Sequence, residues 1–195
     1  MFYPENWKKL KRGPQVILWK DAGTIISTVG LQSGDSVVDA GAGSGWLAIR
    51  LGLIVGEKGK VASYEWREDF AGLAEKNVAK AGLGKIVEVK RKNVFEGIDE
   101  KDVDLITLDL ADSEKVLPAA HAALKEKGFV VGYSPNVEQV RRFVEAGLAA
   151  GLEQFRVVET IEREWLVRPQ GCRPATMGLM HTAFLSFLRK PARKE

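Results

Sequence analysis

Nine consecutive residues, Val37-Val38-Asp39-Ala40-Gly41-Ala42-Gly43-Ser44-Gly45, limit the possible folds of this chain more than any other stretch. Val37, Val38 and Ala40 can be buried on both faces, as the first strand of a parallel sheet requires. The three glycines then let the backbone turn sharply and approach a bound molecule closely. The apolar run from Trp46 continues as a helix. The spacing is GxGxG, and Trp46 stands where the dinucleotide pattern GxGxxG places its last glycine. Alone, such a loop serves equally well as a plain tight turn.

A second feature adds to it. Val61 and Ala62 lead into Ser63-Tyr64-Glu65, and Glu65 lies 20 residues beyond Gly45. An acidic residue at the end of a second strand is placed to accept hydrogen bonds from two ribose hydroxyls. Asp39 before the loop and Glu65 after it would repel a pyrophosphate and suit a cationic amino-acid nucleoside. The pair points to S-adenosyl-L-methionine as cofactor.

Strand-like and helix-like segments alternate from Asp21 to about residue 150, which predicts a parallel sheet covered by helices. Asp21 is expected to cap a helix running to about Val29. The spacing then predicts a helix over Trp46–Val55, a strand over Lys60–Glu65, a helix over Arg67–Ala81 and a third strand over Ile86–Lys90. A fourth strand is expected over Val103–Leu110, a helix over Ser113–Lys125 with Asp112 as its cap, a fifth strand over Gly128–Tyr133 and a helix over Val137–Ala150. Phe155–Glu164 and Thr182–Leu188 have no long helical pattern between them, so an antiparallel hairpin is expected there. The predicted fold class is α/β, a Rossmann-like class I methyltransferase: a mostly parallel seven-stranded sheet with an antiparallel C-terminal hairpin. The expected organisation is a single domain over 1–195, with 1–20 a basic lead-in segment and 21–195 the catalytic core.

Bulk properties exclude several classes. The longest apolar runs fall well below the roughly 18 residues of a membrane span. Met1 to Arg12 is polar and basic, unlike a secretory leader. The single cysteine, Cys172, excludes an internal disulfide and fits a reducing, cytoplasmic setting. The net charge of +3 is unevenly spread: residues 1–20 hold five Lys/Arg against one Glu, and residues 156–195 hold eight against four. The middle, 21–155, holds 16 basic and 21 acidic residues. Basic ends meeting beside a substrate mouth would give a polyanion a place to land. Lys8, Lys9, Lys11, Arg12 and Arg189 to Lys194 could equally be solvated tails.

Asp109, at the carboxyl end of the fourth strand, would face the ligand crevice, whereas Asp104 at the opposite end is expected to be structural. Asn93 ends the third strand, where an adenine would lie, and its amide can both donate to and accept from a base edge. It also suits a simple strand-end turn. Tyr133, before Ser134-Pro135-Asn136, could stack on a substrate base or serve as a core tyrosine. His121 is expected to pack or to face solvent, and His181 precedes the last strand. With two distant histidines and one cysteine, no metal-ligand cluster is expected. Ser44 lacks the GxSxG setting of a hydrolase nucleophile.

Taken together, these blocks resemble the tRNA (adenine-N1)-methyltransferase family, which forms N1-methyladenosine in the T-loop. Arg12-Gly13-Pro14-Gln15-Val16-Ile17-Leu18-Trp19-Lys20-Asp21 resembles the block before the family's first helix, and Val38 to Gly45 with Tyr64-Glu65 its cofactor motifs. Leu108-Asp109-Leu110 with Tyr133 to Asn136 resembles its catalytic rim. Arg173-Pro174 and His181-Thr182-Ala183-Phe184-Leu185 resemble its C-terminal signature, the most specific of the four. Departures stand at Leu18 and Trp19 (usually Tyr and Pro), Asn93 (often Asp) and Ala111 (usually Pro). The chain reads as a short form without the family's small β-rich N-terminal domain.

The resemblance implies cofactor contacts from Ile17, Asp39, Gly41, Ala42, Gly43, Ser44, Gly45, Glu65, Phe70, Asn93, Val94 and Asp109. It makes Asp109 the catalytic carboxylate, and Gln15, Tyr133, Arg173 and His181 candidates for holding the target nucleotide. It also implies a tRNA partner and a homo-oligomer, a tetramer by family pattern. The alternatives are a small-molecule methyltransferase of the corrin-pathway type, a non-catalytic tRNA-binding subunit and an isoaspartate-repair methyltransferase.

Overall fold

The sheet is built outward from its most apolar strand. In the computed structural model, which describes residues 4–13 and 15–193, Ser36–Ala40 forms β1 at the centre. It is flanked in parallel by β2 (Lys60–Tyr64) and β4 (Val103–Leu108), with Val38 opposite both Ala62 and Ile106. Pro14 of the lead-in block and Lys194 of the basic C-terminal end lie outside the described residues. Beyond β2 lies β3 (Val87–Lys90), and beyond β4 lies β5 (Leu124–Ser134), both parallel to their neighbours. Two antiparallel pairings complete the sheet: β9 (Phe184–Arg189) on β5, then β6 (Glu153–Glu159) on β9. The order is β3-β2-β1-β4-β5-β9-β6. The expected C-terminal antiparallel pair is thus present, with β9 inserted between β5 and β6.

Val37 and Val38 point to opposite faces and both are fully buried, because helices cover each side. One face packs α1 (Trp19–Val29), α2 (Trp46–Val55) and α3 (Glu68–Lys80) around Ile25, Ile49, Val61 and Leu105. The other packs α4 (Leu117–Ala123) and α5 (Val137–Ala149) around Val38, Ile106, Leu117 and Phe143. No helix among the described residues is long and apolar enough to cross a membrane.

Four local expectations are corrected. Asp21 does not cap α1: Leu18 holds that position, and Asp21 is fully buried within the first turn, where distant side chains take up its carboxylate. The helix expected over Ser113–Lys125 is a 3-10 turn at Ser113–Val116 followed by α4, because Pro118 favours a fresh helix start. Asp112 stands at the cap of that 3-10 turn but makes no capping bond; its carboxylate binds Lys115 at 2.8 Å instead. The strand expected over Phe155–Glu164 ends at Glu159, and a separate ribbon, β7 (Trp165–Arg168) with β8 (Gly171–Pro174), follows it. The turn residues Pro169-Gln170, with Gly171 opening the second of two short extended runs, are the signal for that ribbon.

Candidate functional site

Because β1, β2 and β4 are parallel, their carboxyl ends meet at one rim, the usual ligand crevice of an open α/β sheet. The chain is laced tightly there. Gly41 and Ala42 both donate to the Tyr64 carbonyl at 3.1 Å, and the Asp109 amide donates to the Ala40 carbonyl at 2.9 Å. Gly41 has φ +91°, and a Cβ at that position would collide with the Asp109 carbonyl. Only glycine meets both constraints. Gly45, at φ +78°, is the residue from which α2 starts.

Two adjoining cavities open at this rim. The first, about 270 Å³, is lined by Gln15, Val16, Ile17, Asp39, Gly41 to Ser44, Trp46, Leu47 and Phe70. The second, about 300 Å³, is lined by Tyr64, Glu65, Trp66, Asn93, Val94, Phe95 and the segment Leu110-Ala111. Gly41, Arg67 and Asp109 line both and mark the boundary between them.

The acidic side chains differ sharply in their partners. Asp39 is buried, and its two oxygens accept from Ser63 Oγ and Thr107 Oγ1, each at 2.8 Å. Burial pushes its carboxyl above the usual range, and the two hydroxyl bonds oppose that rise. Glu65, also buried, accepts from the Gly43 amide at 3.0 Å and from the Arg67 amide and Nε at 3.1 and 3.2 Å. The Asp109 carboxylate makes no hydrogen bond among the described residues. Burial, with the nearby Asp39 charge, pushes it up to about 7. Three carboxylates around one cleft suit a cationic ligand, and Asp109 is the one with its bonding capacity left open.

Of the residues expected at a site, Gln15, Ile17, Asp39, Gly41, Ala42, Gly43, Ser44, Phe70 and Asp109 converge on the first cavity, and Glu65, Asn93 and Val94 on the second. Asn93 Oδ1 caps the 3-10 turn Val94–Glu96 by accepting from the Phe95 amide at 3.1 Å, which leaves Nδ2 for a ligand. Gly45, Tyr133, Arg173 and His181 line neither cavity. Tyr133 is half-buried, with its hydroxyl 3.5 Å from Asp21 Oδ2. Asp21 is also bound by Thr182 Oγ1 at 2.8 Å and Lys20 Nζ at 2.7 Å, which ties α1 to the start of β9. Burial, then the Asp21 charge, pushes the Tyr133 hydroxyl up to about 12. His181 spans Glu159 Oε1 at 2.6 Å and the Pro135 carbonyl at 2.9 Å. Arg173 lies exposed on β8.

Sequence reasoning does not single out Arg67, Trp46 or Trp66 as site residues. Arg67 stacks over Phe70, its guanidinium carbon 3.9 Å from the ring centroid, while its Nε holds Glu65. Its position two residues after the acidic strand end is the one signal for it. Trp46 Nε1 and Ser44 Oγ are buried without a hydrogen-bond partner among the described residues. Buried polar atoms of this kind call for a ligand acceptor. Together with the glycine cradle and the carboxylates, they fit a small molecule that is cationic at one point and carboxylated at another, as S-adenosyl-L-methionine is.

Comparison with known proteins gives the same direction. The family described as "tRNA methyltransferase complex GCD14 subunit" matches residues 1–190. The tRNA (adenine(57)-N(1)/adenine(58)-N(1))-methyltransferase TrmI of Methanocaldococcus jannaschii is 37% identical over 210 residues, covering 94% of this chain and 74% of that protein. Two solved structures are close in shape. A SAM-dependent O-methyltransferase from Thermotoga maritima superposes with a TM-score of 0.91 at 34% identity, over 98% of this chain and 72% of the other. The tRNA (m1A58) methyltransferase TrmI from Aquifex aeolicus gives 0.86 at 27% identity, over 94% and 73% respectively.

Proposed function

The chain belongs to the family of the tRNA methyltransferase complex GCD14 subunit, and on that premise we propose that it methylates N1 of a T-loop adenine in tRNA, using S-adenosyl-L-methionine. The single observation that carries the catalytic reading is Asp109: a half-buried carboxylate without a hydrogen-bond partner among the described residues, on the boundary of both cavities.

The second cavity would hold the nucleoside end of the cofactor, with Glu65 on the ribose and Asn93 Nδ2 on the base. The first would hold the amino-acid end against Ser44, Trp46 and the glycine loop. The bound cofactor supplies an electrophilic methyl group on a cationic sulfur. Adenine N1 carries an in-plane lone pair at neutral pH, so no proton needs removal before attack. Positive charge then develops over the ring, and the Asp109 carboxylate stabilises it while orienting the base through its exocyclic amine. N1 lies on the pairing edge, so the base must leave its stack to reach the cleft.

The corrin-type and isoaspartate readings share only the glycine-loop fold, whereas the family match spans nearly the whole chain. A non-catalytic subunit has no need of the open Asp109 carboxylate. We also infer a homo-oligomer, tetrameric by family pattern, in the cytoplasm with its tRNA. Trp165, Val167, Met177 and Met180 of the 160–183 segment are all more than 60% exposed, apolar surface that association would cover.

Methylation at N1 blocks base pairing, so reverse transcription of tRNA incubated with protein and cofactor should arrest within the T-loop. Full-length read-through, with cofactor binding intact, would reject the proposed substrate and favour a small molecule.

A further inference from the structure

The segment before α1 lines the first cavity with Gln15, Val16 and Ile17, and its earlier part is pinned along one side. Trp7 and Leu10 are buried in the core. The Trp7 ring lies 5.1 Å from Trp46 and 5.9 Å from Trp19, and the Arg50 guanidinium carbon packs against both Trp7, at 4.4 Å, and Trp19, at 4.5 Å. Both backbone groups of Lys11 are held by Asn77, whose Oδ1 accepts at 3.0 Å and whose Nδ2 donates at 2.8 Å. The same Nδ2 donates to the Ser44 carbonyl at 2.8 Å, so one buried side chain joins this segment to the glycine loop. Arg12 then lies over Trp46, and Gln15 to Ile17 enter the cavity wall.

The outer side of the pinned segment is cationic. Lys8, Lys9, Lys11 and Arg12 are exposed and have no carboxylate partner among the described residues. Cations elsewhere around the cleft are neutralised: Arg67 by Glu65, Lys92 by Asp99, Lys90 by Glu100 and Arg91 by Glu68 and Glu75. Arg50 adds a further charge behind the strip, against the adjoining rings of Trp7 and Trp19, its Nε and Nη2 without a hydrogen-bond partner among the described residues. An exposed strip of unpaired cations, fixed in place beside a cleft whose own charges are acidic or paired, attracts a polyanion without competing for the cationic ligand inside.

We propose that Lys8, Lys9, Lys11 and Arg12 form the landing strip for the phosphates flanking the target adenine, with the tryptophan–arginine stack and Asn77 setting its distance from the cleft. This rests on the tRNA reading above. The pinned backbone means that the strip needs no separate folding step on binding, so its contribution appears as phosphate neutralisation.

The test compares wild type, Lys8→Gln/Lys9→Gln/Lys11→Gln, and a control variant, Lys58→Gln/Lys60→Gln/Lys85→Gln. The control removes the same charge at the opposite, amino ends of the strands, near the starts of β2 and β3. Affinity for unmodified tRNA transcript is measured across potassium chloride concentrations, alongside cofactor affinity and the thermal midpoint. The slope of log affinity against log salt should be shallower by about 2 in the strip variant, at roughly 0.7 for each single-strand phosphate no longer neutralised. Its tRNA affinity should fall tenfold or more near physiological salt, with cofactor affinity within twofold of wild type, while the control keeps the wild-type slope. Equal losses in both variants, or no loss in the strip variant, would overturn the strip while leaving the tRNA reading standing. Failure of the wild type itself to bind tRNA would reject both.

Discussion

Asp39 and Asp109 share one cavity wall, yet Asp39 is saturated by two hydroxyl donors and Asp109 has none among the described residues. The adjacent strands β1 and β4 bring them together, and the contrast divides their work. Asp39 is a carboxyl held in place behind the glycine loop by Ser63 and Thr107. Asp109 is a carboxylate whose stabilisation awaits a ligand.

That arrangement makes Asp109 a cost to the fold. Its folded pKa is raised from 3.8 to about 7, so the folded state holds a proton that the unfolded chain has released. Stability therefore falls as pH rises from about 4 to about 7, and the loss is complete above that. Asp109→Asn should be the more stable protein at pH 8, by on the order of 1–4 kcal/mol, and equal to wild type near pH 3.5. Urea unfolding at the two pH values checks this. An asparagine variant less stable at pH 8 would contradict the assigned environment.

The same group should shape the rate. If the charged carboxylate stabilises the methylated ring, kcat/KM rises with pH, is half-maximal near 7 and levels off above it. Asp109→Asn should lose that limb and fall by on the order of a hundred- to a thousandfold in kcat. A pH profile unchanged in the variant would remove Asp109 from the mechanism.

Glu65 does two jobs, since its oxygens already hold the Gly43 amide and Arg67. Glu65→Ala should weaken cofactor binding by about 1.5–3 kcal/mol, roughly ten- to a hundredfold, as expected for removal of a hydrogen bond to a charged group. Titration calorimetry reads it directly, and unchanged affinity would refute the ribose contact.

The two histidines should titrate in opposite directions. His181 faces acceptors at both ring nitrogens, Glu159 Oε1 and the Pro135 carbonyl, so only the imidazolium satisfies both. Its pKa is raised above 6.5, with the Glu159 bond the largest cause, whereas burial and then the Lys190 charge lower that of His121. The His181 clamp between β6 and the turn after β5 is therefore complete below pH 6.5 and loosens as pH rises through its folded pKa. Imidazole NMR shifts followed against pH, assigned with His121→Gln, separate the two. A His181 midpoint below 6.5 would refute the clamp.

What is legible in the sequence is local. The glycine loop, the helix Trp46–Val55 and the acidic end of β2 are written in neighbouring residues, and the β6–β9 pairing follows from the missing helix between them. The site's supporting bonds are not local. Asp21 reads as a helix cap until Tyr133 and Thr182, 112 and 161 residues away, claim its carboxylate. Asn77 looks like an ordinary polar residue in α3, although it joins Lys11, 66 residues distant, to the glycine loop. Arg67 carries no motif, and its place over Phe70 depends on how α3 leaves the strand. His181 stands out by its block, but its bonds to Glu159 and Pro135 depend on β9 entering the sheet between β5 and β6.

The most direct measurement is nucleoside mass spectrometry of an unmodified tRNA transcript after incubation with the protein and labelled S-adenosyl-L-methionine, with Asp109→Asn run in parallel. Labelled N1-methyladenosine is expected from the wild type and at most a trace from the variant. Label in another nucleoside, or equal N1-methyladenosine from both proteins, would contradict the proposed function.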